Sequence, residues 1–335
     1  MTVQITIIGL GQIGASAGLA LAEHKDQVTT VGHDKNPEYA HRARKMGAVE
    51  RIDYNLPASV EAADIVLLAI PANQIYDTLK VIAQDLRAEA VLMDTAPVKA
   101  GVVAWIKDLL PAQRHYVGLS PAINPLYIDE PGNGIDRAHA DLFQHGLMGI
   151  SAPPGTPGEA VQLATGFAGL LGAVPYFVDS SEIDGIMAAA HLLPQLSAVA
   201  LANAAMDQPG WSDIRKMTGQ PFCLPTTLLA NPDEIGSLSE NALQNRENTV
   251  RVLDGLLAAL TELRNDIDRK DRKGLEDRLE HARSGRAQWW AERARGNWQS
   301  VEGGKQEFPK ASDILKQQVG GLEKLFHRRD KSDSD

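Results

Sequence analysis

The stretch "ITIIGLGQIGASAGLAL" begins at Ile5 and places Gly9, Gly11 and Gly14 in G-x-G-x-x-G spacing, with Gln12 and Ile13 between the last two glycines. Directly after an apolar run and at the start of a helical pattern, this spacing suits a dinucleotide. The first glycine permits a tight turn, the second lets backbone approach a pyrophosphate, and the third lets the helix lie close on the strand. The diphosphate would meet the helix N-terminus, where unpaired N–H groups and partial positive charge favour an anion. Asp34 closes the next apolar run. A carboxylate there accepts the ribose hydroxyls and repels a 2′-phosphate, so NAD is expected over NADP, with Lys35 beside it pulling weakly the other way. Ile70 and Pro71, in "LLAIP", are candidates for an apolar wall by the cofactor, or equally for an ordinary strand end.

The elements that position these residues follow from periodicity. Val3–Ile8 reads as a strand buried on both faces, and further strands are expected at "QVTTVGHD", "DIVLLAIP", "AVLMDTAP", "HYVGLS", "GLMGISAP" and "VPYFVD". Several are separated by amphipathic helical stretches. That alternation predicts an α/β domain with a doubly wound parallel sheet of the Rossmann type over residues 1–179. From Ser180 the pattern turns helical and stays so: "SSEIDGIMAAAHLLPQLSAVALANAAM" predicts one long apolar helix, suited to a bundle centre or a subunit interface. Residues 180–300 are expected to form an all-helical domain, and 301–335 a weakly docked or partly disordered tail.

At 335 residues the chain fits two domains, and 44% apolar with 23% charged residues describes a globular protein. The net charge of −10 argues against nucleic acid or an anionic membrane as principal partner. No apolar run appears long enough to span a bilayer, and the start of the chain shows no signal-peptide pattern, so a cytoplasmic location is expected. The single cysteine, Cys223, is expected as a small core residue. No Cys/His spacing or carboxylate pair suggests a metal.

Taken in order, "GLGQIGASAGLAL", the strand end "HD", the "AIP" turn, "MDTAPVK" and "HLLPQLSAVAL" resemble the prephenate and arogenate dehydrogenase family, over roughly residues 5–267. The resemblance implies a Rossmann domain followed by a helical domain that forms a homodimer, in a 6-phosphogluconate-dehydrogenase-like arrangement with the active site in the cleft between the two. It implies NAD-dependent oxidative decarboxylation of a cyclohexadienol acid. That reaction needs a proton acceptor for the ring hydroxyl, a cation for the small acidic substrate, and a cleft that excludes water.

The chain departs from the family pattern at the groups that meet those needs. Pro97 stands where the family has the serine of Ser-Val-Lys, while Lys99 is kept. Ser120 stands where a His-Pro motif has its histidine, and a hydroxyl without a neighbouring base is a poor proton acceptor. In "AHLLPQ", aligned on Pro194, His191 falls one position early and Gln195 replaces a second histidine. Gly219 follows Thr218 where the family has an arginine. His191 is therefore the leading candidate base, against the alternative of a satisfied core histidine. Ser120 and Lys99 complete the candidate catalytic set, and Asn124, Arg215 and Lys216 are candidates for holding the substrate. Two readings stay open beside the family reaction: a dehydrogenase for another small hydroxy acid, and a protein that binds NAD without catalysis.

Overall fold

The computed structural model describes residues 2–230 and 234–296. The tail expected at 301–335 lies outside them. β1 (Val3–Ile8) leads through the glycine turn into α1 (Gln12–Leu21), followed by β2 (Val28–His33), α2 (Pro37–Lys45), β3 (Arg51–Ile52) and α3 (Leu56–Val60). Next come β4 (Ile65–Leu68), α4 (Ala72–Ile82), β5 (Val91–Asp94), α5 (Ala100–Leu109) and β6 (His115–Ala122). β7 (Leu147–Ser151), α6 (Gly158–Leu170) and β8 (Val174–Phe177) complete one eight-stranded sheet of order β3-β2-β1-β4-β5-β6-β7-β8.

The first six strands are parallel; β7 pairs antiparallel with β6, and β8 runs parallel to β7. The doubly wound parallel sheet expected from the alternation is found, and the sheet departs from parallel only at its last two strands. A parallel crossover needs an element that returns the chain along the sheet, usually a helix. Here the chain between β6 and β7 has only two 3₁₀ turns, Pro125–Tyr127 and Gly134–Arg137, and re-enters the sheet from the same end.

Strand alternation builds two cores. Ile5, Ile7, Leu67, Met93, Val117 and Leu119 pack beneath α1, α2 and α6, while Ile8, Val66, Leu68, Leu92 and Tyr116 pack beneath α3, α4 and α5. On β6 this sends Val117 and Leu119 to one face and Tyr116, Gly118 and Ser120 to the other.

Every described element after β8 is helical. Ser180–Met206 is one 27-residue helix made of α7 (Ser180–Met187), a π turn (Ala188–Leu192) and α8 (Leu193–Met206). By length and composition it could cross a membrane, which corrects the expectation that nothing would; alanines and leucines keep its mean hydropathy at 1.5 despite interspersed polar residues. α9 (Trp211–Met217) and α10 (Gln220–Thr226) follow, then α11 (Glu234–Gln244), α12 (Arg246–Asp268) and α13 (Arg272–Arg295). α11 lies on α4, α12 on the π turn and on α13, and Arg293 of α13 donates to the Ile123 carbonyl beyond β6. Cys223 is exposed on α10, not in the core. Trp289 is about half exposed (47%) and lies beside Trp290 with Arg286 over both rings.

One close approach locks α1 to the sheet edge. A Cβ at Gly18 would lie 2.1 Å from the Ala48 carbonyl oxygen, a backbone atom that cannot swing away. Gly18→Ala is therefore expected to lower stability by ~1–3 kcal/mol despite the better helix propensity of alanine, read as a drop in thermal midpoint.

Candidate active site

The glycine turn has the geometry that its spacing implies. Gly9 has φ +92°, and a Cβ there would sit 2.4 Å from the Ala69 carbonyl oxygen and 2.7 Å from Ile70 Cγ2, so only glycine fits against the end of β4. A Cβ on Gly14 would sit 1.9 Å from the Gly9 carbonyl oxygen. Gly11 differs: nothing lies within 4 Å of its Cβ position, and it begins α1 with no side-chain cap and no acidic residue in the first turn. The first N–H groups of α1 are thus left for an outside acceptor. Among the described residues the buried Gln12 Nε2 has no partner, which adds a donor at the same turn. Asp34 is tied to this turn directly, for its Oδ2 accepts from Leu10 N (2.7 Å) and its Oδ1 from Asn36 N (2.7 Å). Each oxygen keeps a lone pair for a ribose hydroxyl. Ile13 packs partly buried on the core beside the turn, and Ile70 and Pro71 run from β4 into α4. These residues fit a dinucleotide.

The second half of the site lies where β5 and β6 meet the long helix. Lys99 is 0% exposed; its Nζ donates to Asp94 Oδ1 (2.8 Å) and to the Asp94 carbonyl (3.2 Å). Tyr116 Oη donates to the other Asp94 oxygen (2.5 Å). Asp184 of α7 reaches across, its Oδ1 accepting from Lys99 N (2.6 Å) and its Oδ2 from Ala100 N (3.0 Å). A helical-domain carboxylate thereby caps α5 of the sheet domain. Asn245 Nδ2 in turn donates to the Asp184 carbonyl (2.7 Å). Burial pulls the Lys99 ammonium below its ordinary pKa, with Asp94 opposing, and pushes the Tyr116 phenol well up, with Asp94 reinforcing. Burial also raises the Asp184 carboxyl, against the two N–H bonds it accepts. There is no spare room in this layer: a Cβ on Gly118 would lie 2.8 Å from both Lys99 Cδ and Ser151 Oγ.

The structure places the other expected site residues unequally. Ser120 is buried on the same face of β6 as Gly118, opposite Gly149 and toward Ile183 of α7. His191 sits in the π turn and is exposed in the single chain, while the desolvation it does undergo draws its pKa below the usual 6.5. Lys99 is sealed in the network and is corrected from a reacting group to a buried counter-ion. Asn124 is also corrected, because its Oδ1 accepts from Leu126 N (3.1 Å) and its Nδ2 donates to the Asp141 carbonyl (3.2 Å), so it fastens a turn. Arg215 and Lys216 are exposed on α9, where Lys216 pairs with Asp213 (2.7 Å). No hydrogen bond or ion pair among the described residues joins either to the sheet domain.

Three residues of this layer are not singled out by type and spacing: Asp94, Tyr116 and Asp184. "NALQNRENTV" reads as a polar helix face, yet Asn245 is buried and bonded.

Fold and cradle together define a dinucleotide-binding α/β domain joined to a helical domain. Residues 17–176 match the family model described as prephenate dehydrogenase, nucleotide-binding domain. The cyclohexadienyl dehydrogenase of Zymomonas mobilis is 27% identical over 279 residues, covering 83% of this chain and 92% of that protein. The prephenate dehydrogenase of Bacillus subtilis is 22% identical over 274 residues, 81% and 72% of the two chains. In structure, the prephenate dehydrogenase of A. aeolicus, solved with hydroxyphenyl propionate and NAD+, superposes with TM-score 0.74 at 21% identity, over 86% of this chain and 98% of that one. The nucleotide-binding part of the chain is thus similar to that of the prephenate dehydrogenases, and most of the chain is similar in sequence to prephenate and cyclohexadienyl dehydrogenases.

Removing the Lys99 ammonium would leave the Asp94 carboxylate buried and unpaired. Lys99→Met is expected to cost ~3–5 kcal/mol in denaturant unfolding, and Asp94→Asn added to it should recover part of that loss.

Proposed function

We propose that the protein is an NAD-dependent dehydrogenase of the prephenate and arogenate type, oxidising a cyclohexadienol acid with loss of CO₂. One observation carries the reading: an uncapped α1 N-terminus at the open Gly11, with the Asp34 carboxylate hydrogen-bonded to the same turn. Bound NAD would supply the hydride acceptor. The chain's own residues would hold the diphosphate on the backbone of Gly11, Gln12 and Ile13, grip the ribose at Asp34, and wall the pocket with Ile70 and Pro71.

For the proton on the ring hydroxyl, His191 is the base we favour. Desolvation lowers its pKa from 6.5 and so favours the neutral ring, the form that accepts a proton. Ser120 has no histidine of its own to activate it and serves as a hydrogen-bonding group to substrate or to a water.

A homodimer completes this picture. Ile186 and Leu201 on the long helix, Leu224 on α10 and Leu257 and Leu260 on α12 are exposed in the single chain, and a second copy would cover them. We place the protein in the cytoplasm and the domain boundary at residues 179 and 180. The reading of a dehydrogenase for a different hydroxy acid draws on Ser120 at the family's histidine position and on the absence of Arg215 and Lys216 from the sheet-domain side of the cleft.

Mixing the protein with NAD and either prephenate or arogenate should raise absorbance at the wavelength of reduced nicotinamide. Silence with both, but a signal with another hydroxy acid, would select the second reading. His191→Ala should abolish turnover without changing NAD affinity, and normal oxidation by that variant would remove His191 from the mechanism. The pH profile carries a sign as well. The folded-state pKa of His191 is depressed, so its acid limb should fall below 6.5, and the stability tied to its neutral form should decline as pH drops through the same region.

A further inference from the structure

We propose that Asn241 reads the carboxamide of the bound nicotinamide. The inference rests on the NAD reading and extends it to a residue outside the glycine turn. α11 lies over the N-terminal ends of α4 and α5, and three of its neighbours fix where Asn241 faces. One turn earlier, Ser237 Oγ accepts from Ala72 N (3.3 Å), the first residue of α4 and the next after Pro71. One turn later, Asn245 Nδ2 holds the Asp184 carbonyl. Gln244 packs against the first turn of α5, where a Cβ on Gly101 would lie 2.8 Å from its Oε1. Residues four apart on a helix share a face, so Asn241 looks into the gap between α4 and α5, above the carboxyl ends of β4 and β5.

Asn241 is 3% exposed. Its Nδ2 makes a long contact to Ser237 Oγ (3.4 Å), and its Oδ1 has no partner among the described residues. A buried amide oxygen left in that state is rare in native proteins, and it asks for an N–H or O–H donor. A dinucleotide seated on Gly11 with its adenosine ribose at Asp34 has one course left along the sheet, across the carboxyl ends of β4 and β5. The half that arrives there carries a carboxamide, whose NH₂ is the donor that Oδ1 lacks. Gln12 Nε2, the unpartnered donor at the glycine turn, suits the anionic diphosphate, so the two buried amides divide the cofactor by the sign of their unmet need.

Calorimetry with three probes tests the assignment: NAD, ADP-ribose, which lacks the nicotinamide, and the acetylpyridine analogue of NAD, in which CONH₂ is replaced by COCH₃. The wild-type protein should bind NAD about tenfold tighter than the analogue, the size expected for one buried hydrogen bond. Asn241→Leu should bind NAD about tenfold more weakly than wild type, lose the preference for NAD over the analogue, and keep its affinity for ADP-ribose. Equal binding of NAD and analogue by wild type overturns the assignment, as does an Asn241→Leu protein that binds NAD normally. A variant that loses ADP-ribose as well shows a structural role and also overturns it. If wild type binds neither NAD nor ADP-ribose, the cofactor reading fails and takes this assignment with it.

Discussion

The arrangement depends on a cation with no access to water. Lys99 lies between the sheet and the long helix, its ammonium on Asp94 and its backbone N–H on Asp184. A buried ion pair of this kind is weak evidence for stability, since desolvation offsets much of the attraction. What it provides is geometry. Asp94 ends β5, Tyr116 lies near the start of β6 and Asp184 belongs to α7, so Lys99 and Asp94 together tie three elements that carry the site, through the Lys99 side chain and backbone N–H and the Tyr116 hydroxyl on Asp94. The small residues around it follow from that constraint: Gly118 must be glycine because Lys99 and Ser151 fill the space a side chain would need.

That constraint changes how the departures from the family pattern are read. Ser120 stands two residues beyond Gly118 on the same face of β6, immediately beside the sealed network, and Pro97 lies in the loop that Lys99 anchors. The sheet-domain side of the cleft therefore keeps its scaffold while losing a basic side chain. Groups that accept a proton and hold an acid must come from the helices or from a second subunit. His191 fits the first source by position, three residues after buried Ala188 on the helix that bears Asp184. The π turn that contains it matters here. One extra residue in an α-helix is absorbed as a π bulge, and such bulges concentrate at functional sites. An extra residue between histidine and proline is also how "AHLLPQ" differs from the family pattern, so sequence offset and helical defect coincide.

The parts of the site legible in the sequence are those whose chemistry is local. Gly9, Gly11, Gly14 and Asp34 are read from a turn, a helix start and a strand end, and the bond from Leu10 N to Asp34 joins residues in adjacent strand–turn units. Asp184 is beyond such a reading because its partner lies 85 residues away, and no periodicity announces a side chain that caps someone else's helix; Asn245 is visible as a polar residue, but not its burial or its partner 61 residues away. Lys99 is legible as a site lysine, but its complete burial is not, because exposure is the usual state of lysine. Asn124 was misread for a related reason: "AINP" carries both a hydrogen-bonding group and a turn signal, and the turn takes the side chain. The reversed strands β7 and β8 have the same apolar patterns as parallel ones, and direction is decided only by the irregular connection before them.

The long helix shows most plainly what one chain leaves unfinished. Only 22% of its most apolar stretch is buried within the chain, although its composition is that of a core helix. A bilayer is a poor explanation: Asp184 from the first part of this helix is committed to α5, and His191 and Gln195 occupy its middle. The helix is therefore held at one end by the sheet domain and offers its remaining apolar surface outward, together with exposed leucines from α10 and α12. A surface of that kind is satisfied when an identical surface meets it about a twofold axis.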